Sequence, residues 1–222
     1  MTRVKWLGRV KALTGRLFSP KYLLITNTVS SGVLLALGDV LQQLNERRIA
    51  RKKILLKEVN AAASSPSSSS SSSSLAGTDG HLADPTAVPQ FNWIRTGRML
   101  TIGTLLGPLN HYWYSGLDHF LPGVKGRTVV KKILLDELIA SPVMTSTFFV
   151  GMGLLEGKSF AESVDVLRKK FLTVYMIDWC VWPACQAVNF FFVPFRYRVV
   201  YVNCVTLAWD TFLSFIIHTY QQ

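Results

Sequence analysis

The chain reads as an all-α membrane protein, a polytopic helical bundle with four to five apolar helices. Three observations predict this class. Of the 222 residues 49% are hydrophobic and the mean hydropathy is +0.27, too apolar for an ordinary soluble domain. The apolar residues gather into runs of about twenty separated by short basic stretches, the layout required of helices that cross hydrocarbon. Several runs also carry small residues in register, such as Gly32 and Ala36 or Gly103 and Gly107, which let membrane helices pack closely.

Residues 1–21 form a basic N-terminal segment. Arg3, Lys5, Arg9, Lys11, Arg16 and Lys21 all precede the first acid, Asp39, within a formal net charge of +11. Trp6, Val10, Leu13 and Leu17 recur at helical spacing between the bases, so a helix here is amphipathic, cationic and free of acid, as mitochondrial presequences are. The alternative is a polybasic helix lying on anionic lipid. There is no apolar core of the secretory kind.

Residues 22–43, "YLLITNTVSSGVLLALGDVLQQ", are the first span, about 33 Å long as a helix. Its Leu, Ile and Val residues contribute roughly −3 to −6 kcal/mol towards insertion, which offsets the roughly +3 of one central Asp. Residues 44–92 change character, with "RRIARKKILLK" followed by "SSPSSSSSSSS", and predict a disordered basic and Ser-rich loop, read most simply as a tolerated insertion.

Residues 93–217 supply the rest of the bundle, ahead of a short tail at 218–222. Met99 to Leu121 is a second run, and its Tyr112, Trp113 and Tyr114 suit a headgroup boundary. Val129 to Leu155 is a third, broken by Pro142; Phe171 to Pro194 is a fourth; Arg198 to Ile217 is a fifth, which could span, re-enter or lie along the surface. If all five runs cross, basic residues are nearly equal on the two sides, so charge leaves orientation open.

"DWCVWPACQAVNFFFVPF", from Asp178 to Phe195, carries polar residues inside an apolar run. On a helix Trp182, Gln186, Asn189 and Val193 share one stripe, which must face protein because amides in hydrocarbon are left unsatisfied. Pro183 removes one backbone bond and frees a carbonyl for Gln186 or a water. Acids recur near run ends: Asp39, Asp118, Asp136, Glu137, Asp178 and Asp210. They could line a cation path, or they could pair with flanking bases, such as Lys131 or Lys132 for Asp136. A weak echo links "DELIASPVMTSTFFV" with "DWCVWPACQAVNFFFV", each running acid, proline, phenylalanines and valine.

Nothing in the sequence predicts catalysis, a cofactor or a bound metal. GxSxG and HExxH are absent, Ser214 has no partner base in sequence, and the glycines at 151 and 153 lack a third. His111 and His119 have no third ligand, and Cys180, Cys185 and Cys204 form no CxxC pair.

Trp182, Pro183, Gln186, Asn189, Phe190, Val193, Pro194, Arg198 and the "WDTFLS" stretch from Trp209 resemble the closing signature of the Mpv-17 and 22-kDa peroxisomal membrane protein family. The resemblance continues through "GDVLQQ", "GPLNHYWYSGLDHFLPG" and "KKILLDELIASP", and "HYWYSGLD" and "DWCVWPA" look most like the Mpv-17-like protein 2 branch. It implies four membrane spans in an organelle membrane. For that branch it implies the mitochondrial inner membrane, with peroxisomes as the alternative, and a non-enzymatic role in mitochondrial ribosome assembly and translation. A channel or pore for cations or small solutes is the other role that relatives suggest. The expected partners are membrane lipid and the large subunit of the mitochondrial ribosome, not DNA. The expected contacts are Arg3, Lys5, Arg9, Lys11, Arg168, Lys169 and Lys170, and the oligomeric state is left open.

Overall fold

The structure is a computed structural model that describes residues 14–64 and 88–219; it says nothing of the side chains at 61–64 and 209–219. It is helical throughout the described residues. Helix α1 covers Leu23–Ser64, α2 Trp93–Phe120, α3 Gly126–Leu135, α4 Ser141–Leu155, α5 Phe160–Phe192 and α6 Arg198–Thr219. A π-helical turn, Asp136–Ala140, joins α3 to α4 into one continuous rod, and a 3-10 turn, Phe195–Tyr197, leads into α6. Among the described residues three rods are long and apolar enough to cross a membrane: Leu23–Asn60, Gly126–Leu155 and Phe160–Phe192. Asn110, His111, Asp118 and His119 dilute the apolar run of α2.

Burial is inverted relative to a soluble protein. Among the described residues twelve polar or charged side chains are buried against nine apolar ones, while Leu, Ile, Val and Phe side chains such as Ile25, Leu105 and Phe192 face outward. In hydrocarbon an outward apolar side chain costs nothing and an inward polar one finds partners, so this inversion is what a bilayer selects.

Pairwise contacts fix the directions of the helices. Asn27 meets His111, Ser31 lies against Gly103 and Gln43 meets Asn92, so α1 and α2 are antiparallel. Trp113 meets Asp136 and Asp118 meets Lys132, so the α3–α4 rod runs back against α2. Ser141 meets Asp178 and Gly153 packs on Ser163, so α5 runs against α4. Ser31 meets Asn203 and Gly38 faces Leu207, so α6 lies parallel to α1. The connections at 121–125 and 156–159 are short, as antiparallel neighbours require.

The glycines of α2 set its distance from α1. A Cβ on Gly103 would come 2.7 Å from the Ser31 carbonyl oxygen, and one on Gly107 would come 2.6 Å from the Thr28 Cα. Only hydrogen fits there, so GxxxG lets the two backbones touch.

Three boundaries depart from the sequence reading. The predicted loop at 44–92 is helical as far as Ser64, because Arg, Lys, Leu and Ala are good helix formers and the Ser-rich stretch with Pro66 starts only afterwards; residues 65–87 lie outside the described residues. Helix α5 begins at Phe160, eleven residues before the expected apolar start. Ser159 accepts from the Glu162 N–H while the Glu162 carboxylate takes the Ser159 N–H, a capping box. The break expected at Pro142 is instead a widened turn: the Ser141 N–H reaches back to the Asp136 carbonyl, relieving the clash a proline ring makes with the carbonyl four residues earlier.

Candidate functional site: an acid-lined cavity within the bundle

Three polar assemblies tie the helices together. At one end Asp39 of α1 is buried, with Arg95 Nε 2.6 Å from one carboxylate oxygen and Gln43 and Thr96 donating to the other at 2.7 and 2.6 Å. Arg95 also forks onto Glu46 at 3.1 to 3.3 Å, and Asn92 caps α2 through the Arg95 N–H. The "GDVLQQ" motif thus clamps the start of α2.

At the opposite end Asp118 accepts from Lys132 Nζ at 2.6 Å and from the Arg198 guanidinium at 2.5 Å. Both cations are buried and both lie over the Phe190 ring, 5.7 and 5.2 Å from its centroid. One carboxylate and one aromatic face therefore hold two charges that have left water. Asp118 is a structural anchor and does not line the cavity described next. Lys132 serves Asp118, not Asp136 as one sequence reading had it.

Between these ends lies the third assembly. Gln186 donates to Asp136 at 2.5 Å and to the Tyr114 hydroxyl at 2.8 Å, and its carbonyl accepts from Asn189 at 2.8 Å. Trp113 donates to the other Asp136 oxygen at 2.7 Å. The stripe predicted on α5 therefore faces protein: Gln186, Asn189 and Phe190 are buried and Trp182 packs beside them. Two expectations are corrected. The Gln186 amide is spent on Asp136 and Tyr114, so it is not available to the carbonyl freed by Pro183. Trp113 and Tyr114 point inward because their N–H and O–H find these partners, leaving Tyr112 outside.

A cavity of about 340 Å³ opens beside this network, walled by α1, α2, the π turn, α4, α5 and α6. Among the described residues four carboxylates reach it, Asp39, Asp136, Glu137 and Asp178, together with the amides of Gln42, Asn110, Gln186 and Asn203. Asp178 accepts from Ser141 at 3.2 Å. Glu137 is 1% exposed and neither of its carboxylate oxygens has a hydrogen-bond partner. Adjacent residues 136 and 137 are both buried within the π turn, whose extra residue per turn sets successive side chains closer in angle than the 100° of an α-helix.

Pro194 ends α5 and Arg198 opens α6, so the signature residues hold the α5–α6 corner. The side chains of Trp209 and Asp210, and the bases at Arg3, Lys5, Arg9 and Lys11, lie outside the described residues. Arg168, Lys169 and Lys170 are exposed on α5, with Lys169 paired to Asp165 at 2.7 Å. Sequence reasoning missed the clustering of Asn27, Lys132 and Asn203 inside the bundle. Their only signal was a polar residue within an apolar run, the signal that did expose Gln186 and Asn189.

Inverted burial, three long apolar rods and a polar interior define a polytopic helical membrane protein with an acid-lined cavity. Residues 153–214 match the Mpv17 / PMP22 family. The PXMP2/4 family protein 4 of Dictyostelium discoideum is 38% identical over 126 residues, covering 56% of this chain and 68% of that protein. The mitochondrial inner membrane protein Mpv17 of Rattus norvegicus is 34% identical over 128 residues, 56% of this chain and 73% of its own. Protein SYM1 of Gibberella zeae is 29% identical over 197 residues, 87% of this chain and 89% of its own. No solved structure matches. The chain belongs to the Mpv17 / PMP22 family and, with its Mpv17 relatives, is a protein of the mitochondrial inner membrane.

Proposed function

We propose that the protein is a non-enzymatic membrane component that supports mitochondrial ribosome assembly and translation, meeting the large ribosomal subunit through cationic surfaces. One observation carries this reading. Helix α1 is 42 residues, about 63 Å, roughly twice what a bilayer core needs, and beyond residue 47 it exposes Arg48, Arg51, Lys52, Lys53 and Lys57. The alternating helix directions bring Arg168, Lys169 and Lys170 of α5 to the same side of the bundle. A basic surface raised from the membrane suits rRNA phosphate, whose binding is electrostatic and falls with salt. The resemblance to the Mpv-17-like protein 2 branch supports the same partner. Reversing these bases tests it: ribosome association should fall while membrane insertion is unchanged, and unchanged association would refute the electrostatic contact.

A second reading, a pore for cations or small solutes, is favoured by the acid-lined cavity. It predicts single-channel currents in a planar bilayer whose cation selectivity falls on neutralising Asp39, Asp136 or Asp178; a reconstituted protein silent at all voltages would count against it.

A further inference from the structure

The four cavity carboxylates are unequally satisfied. Asp39 is neutralised by Arg95, and Asp136 takes neutral donors from Trp113 and Gln186. Asp178 has the Ser141 hydroxyl, and Glu137 has no partner although it is almost wholly enclosed. Among the described residues no Lys, Arg or His lines the cavity, so no described cation in its wall answers the charge of Asp136, Glu137 and Asp178. An enclosed carboxylate with empty oxygens is costly, and its natural complement is a donor that enters from the cavity.

The arrangement argues against a bare metal ion as that donor. Among the described residues no three His, Cys, Asp or Glu side chains converge closely enough to hold one. Beside these acids the wall carries neutral polar side chains and an apolar stretch that includes Leu106, Met144 and Phe148. A ligand that answers both features carries N–H donors on a positive charge and a hydrocarbon chain between or beside them. The volume, about 340 Å³, lies at the lower end of small-molecule sites.

We infer that the cavity binds an aliphatic polyamine: its ammonium groups donate to Glu137 and Asp178, and its methylenes lie against Leu106, Met144 and Phe148. The inference deepens the second reading by naming a ligand for the same cavity, but it needs binding only, not passage across the membrane. The Gln186 amide is already committed to Asp136, Tyr114 and Asn189, so it shapes the wall and does not hold the ligand.

The test uses full-length protein in lipid nanodiscs and isothermal titration with spermidine, with tetraethylammonium and Mg²⁺ as comparison cations. Saturable spermidine binding is expected, weakened about tenfold or more by Glu137→Gln or Asp178→Asn, the loss of one charge-assisted hydrogen bond. Asp165→Asn, an exposed acid remote from the cavity, should leave it unchanged. Glu137→Gln keeps the shape and removes an unanswered charge, so the empty variant should melt no lower than the parent. Leu106→Trp fills the cavity while sparing every carboxylate and should also abolish binding. Absence of saturable binding, binding indifferent to both acid variants, or equal binding of tetraethylammonium, which has no N–H donor, overturns the inference. Displacement of spermidine by equimolar Mg²⁺ overturns it in favour of a metal site. Bilayer recordings separate the two claims: binding without current retains this inference and removes the pore, whereas current indifferent to spermidine retains the pore and removes this inference.

Discussion

Gln186 of α5 donates to Asp136 of the π turn at 2.5 Å, across fifty residues of sequence, and the same amide nitrogen donates to the hydroxyl of Tyr114 on α2. One side chain thereby joins three of the rods that form the bundle. Each such bond between membrane helices contributes about 0.6 to 2 kcal/mol, but removing the hub also strands the groups it serves.

Replacing Gln186 by Leu therefore leaves a buried carboxylate oxygen, a phenol and the Asn189 amide short of partners. The expected cost is about 3 kcal/mol or more, read as a lower thermal midpoint in detergent by circular dichroism. Gln186→Glu is also expected to destabilise, since it sets a second acid against Asp136. A Gln186→Leu protein that melts with the parent would show that the network carries no stability.

The contact between α1 and α2 is set by backbone, not by side-chain filling. Gly107→Val must push α2 away from Thr28 and should lower the melting midpoint more than Gly97→Val, where a Cβ meets nothing within 4 Å. Equal effects at the two positions would contradict the close packing.

Asp118 holds two buried cations. Asp118→Asn leaves Lys132 and Arg198 facing each other over Phe190 without a counter-charge and should cost about 3 to 5 kcal/mol. Adding Lys132→Met to Asp118→Asn should restore part of the loss, because one stranded charge is then gone. A double variant no more stable than the single would contradict this reading; denaturant titration in mild detergent measures both.

Reversing Arg168, Lys169 and Lys170 to Glu leaves the apolar rod of α5 intact and should leave carbonate-resistant membrane insertion unchanged. Ribosome association should weaken, and the loss should be larger when Arg48, Arg51 and Lys52 are reversed as well. Equal association of parent and variants at low salt would refute the contact.

Much of this fold was legible because lipid imposes simple rules. Runs of twenty apolar residues, GxxxG, and an amide stripe on α5 each have one economical reading in hydrocarbon: among the described residues three of the five runs lie in rods long and apolar enough to span, GxxxG sets the α1–α2 contact and the stripe faces protein. The extension of α1 to Ser64 was not legible because a charged run looks the same as solvated helix and as loop; Leu44, Ile54 and Leu55 among the bases were the available clue. The early start of α5 was written in Ser159 and Glu162, a capping box overlooked because hydropathy set the boundary. The site was half legible. Asp39, Asp136 and Asp178 do line one cavity, whereas Asp118 serves a salt-bridge cluster. Sequence spacing gives which acids share a helix face, but not which acid finds a base on another helix, and Lys132 could have served either Asp136 or Asp118.

The most direct measurement of the central claim is sucrose-gradient sedimentation of mitochondria lysed in mild detergent, with and without EDTA, following the tagged protein and the large-subunit rRNA. Co-migration with the large subunit is expected, lost when the bases of α1 and α5 are reversed. Migration only as a small detergent particle, unaltered by EDTA and by charge reversal, would contradict it.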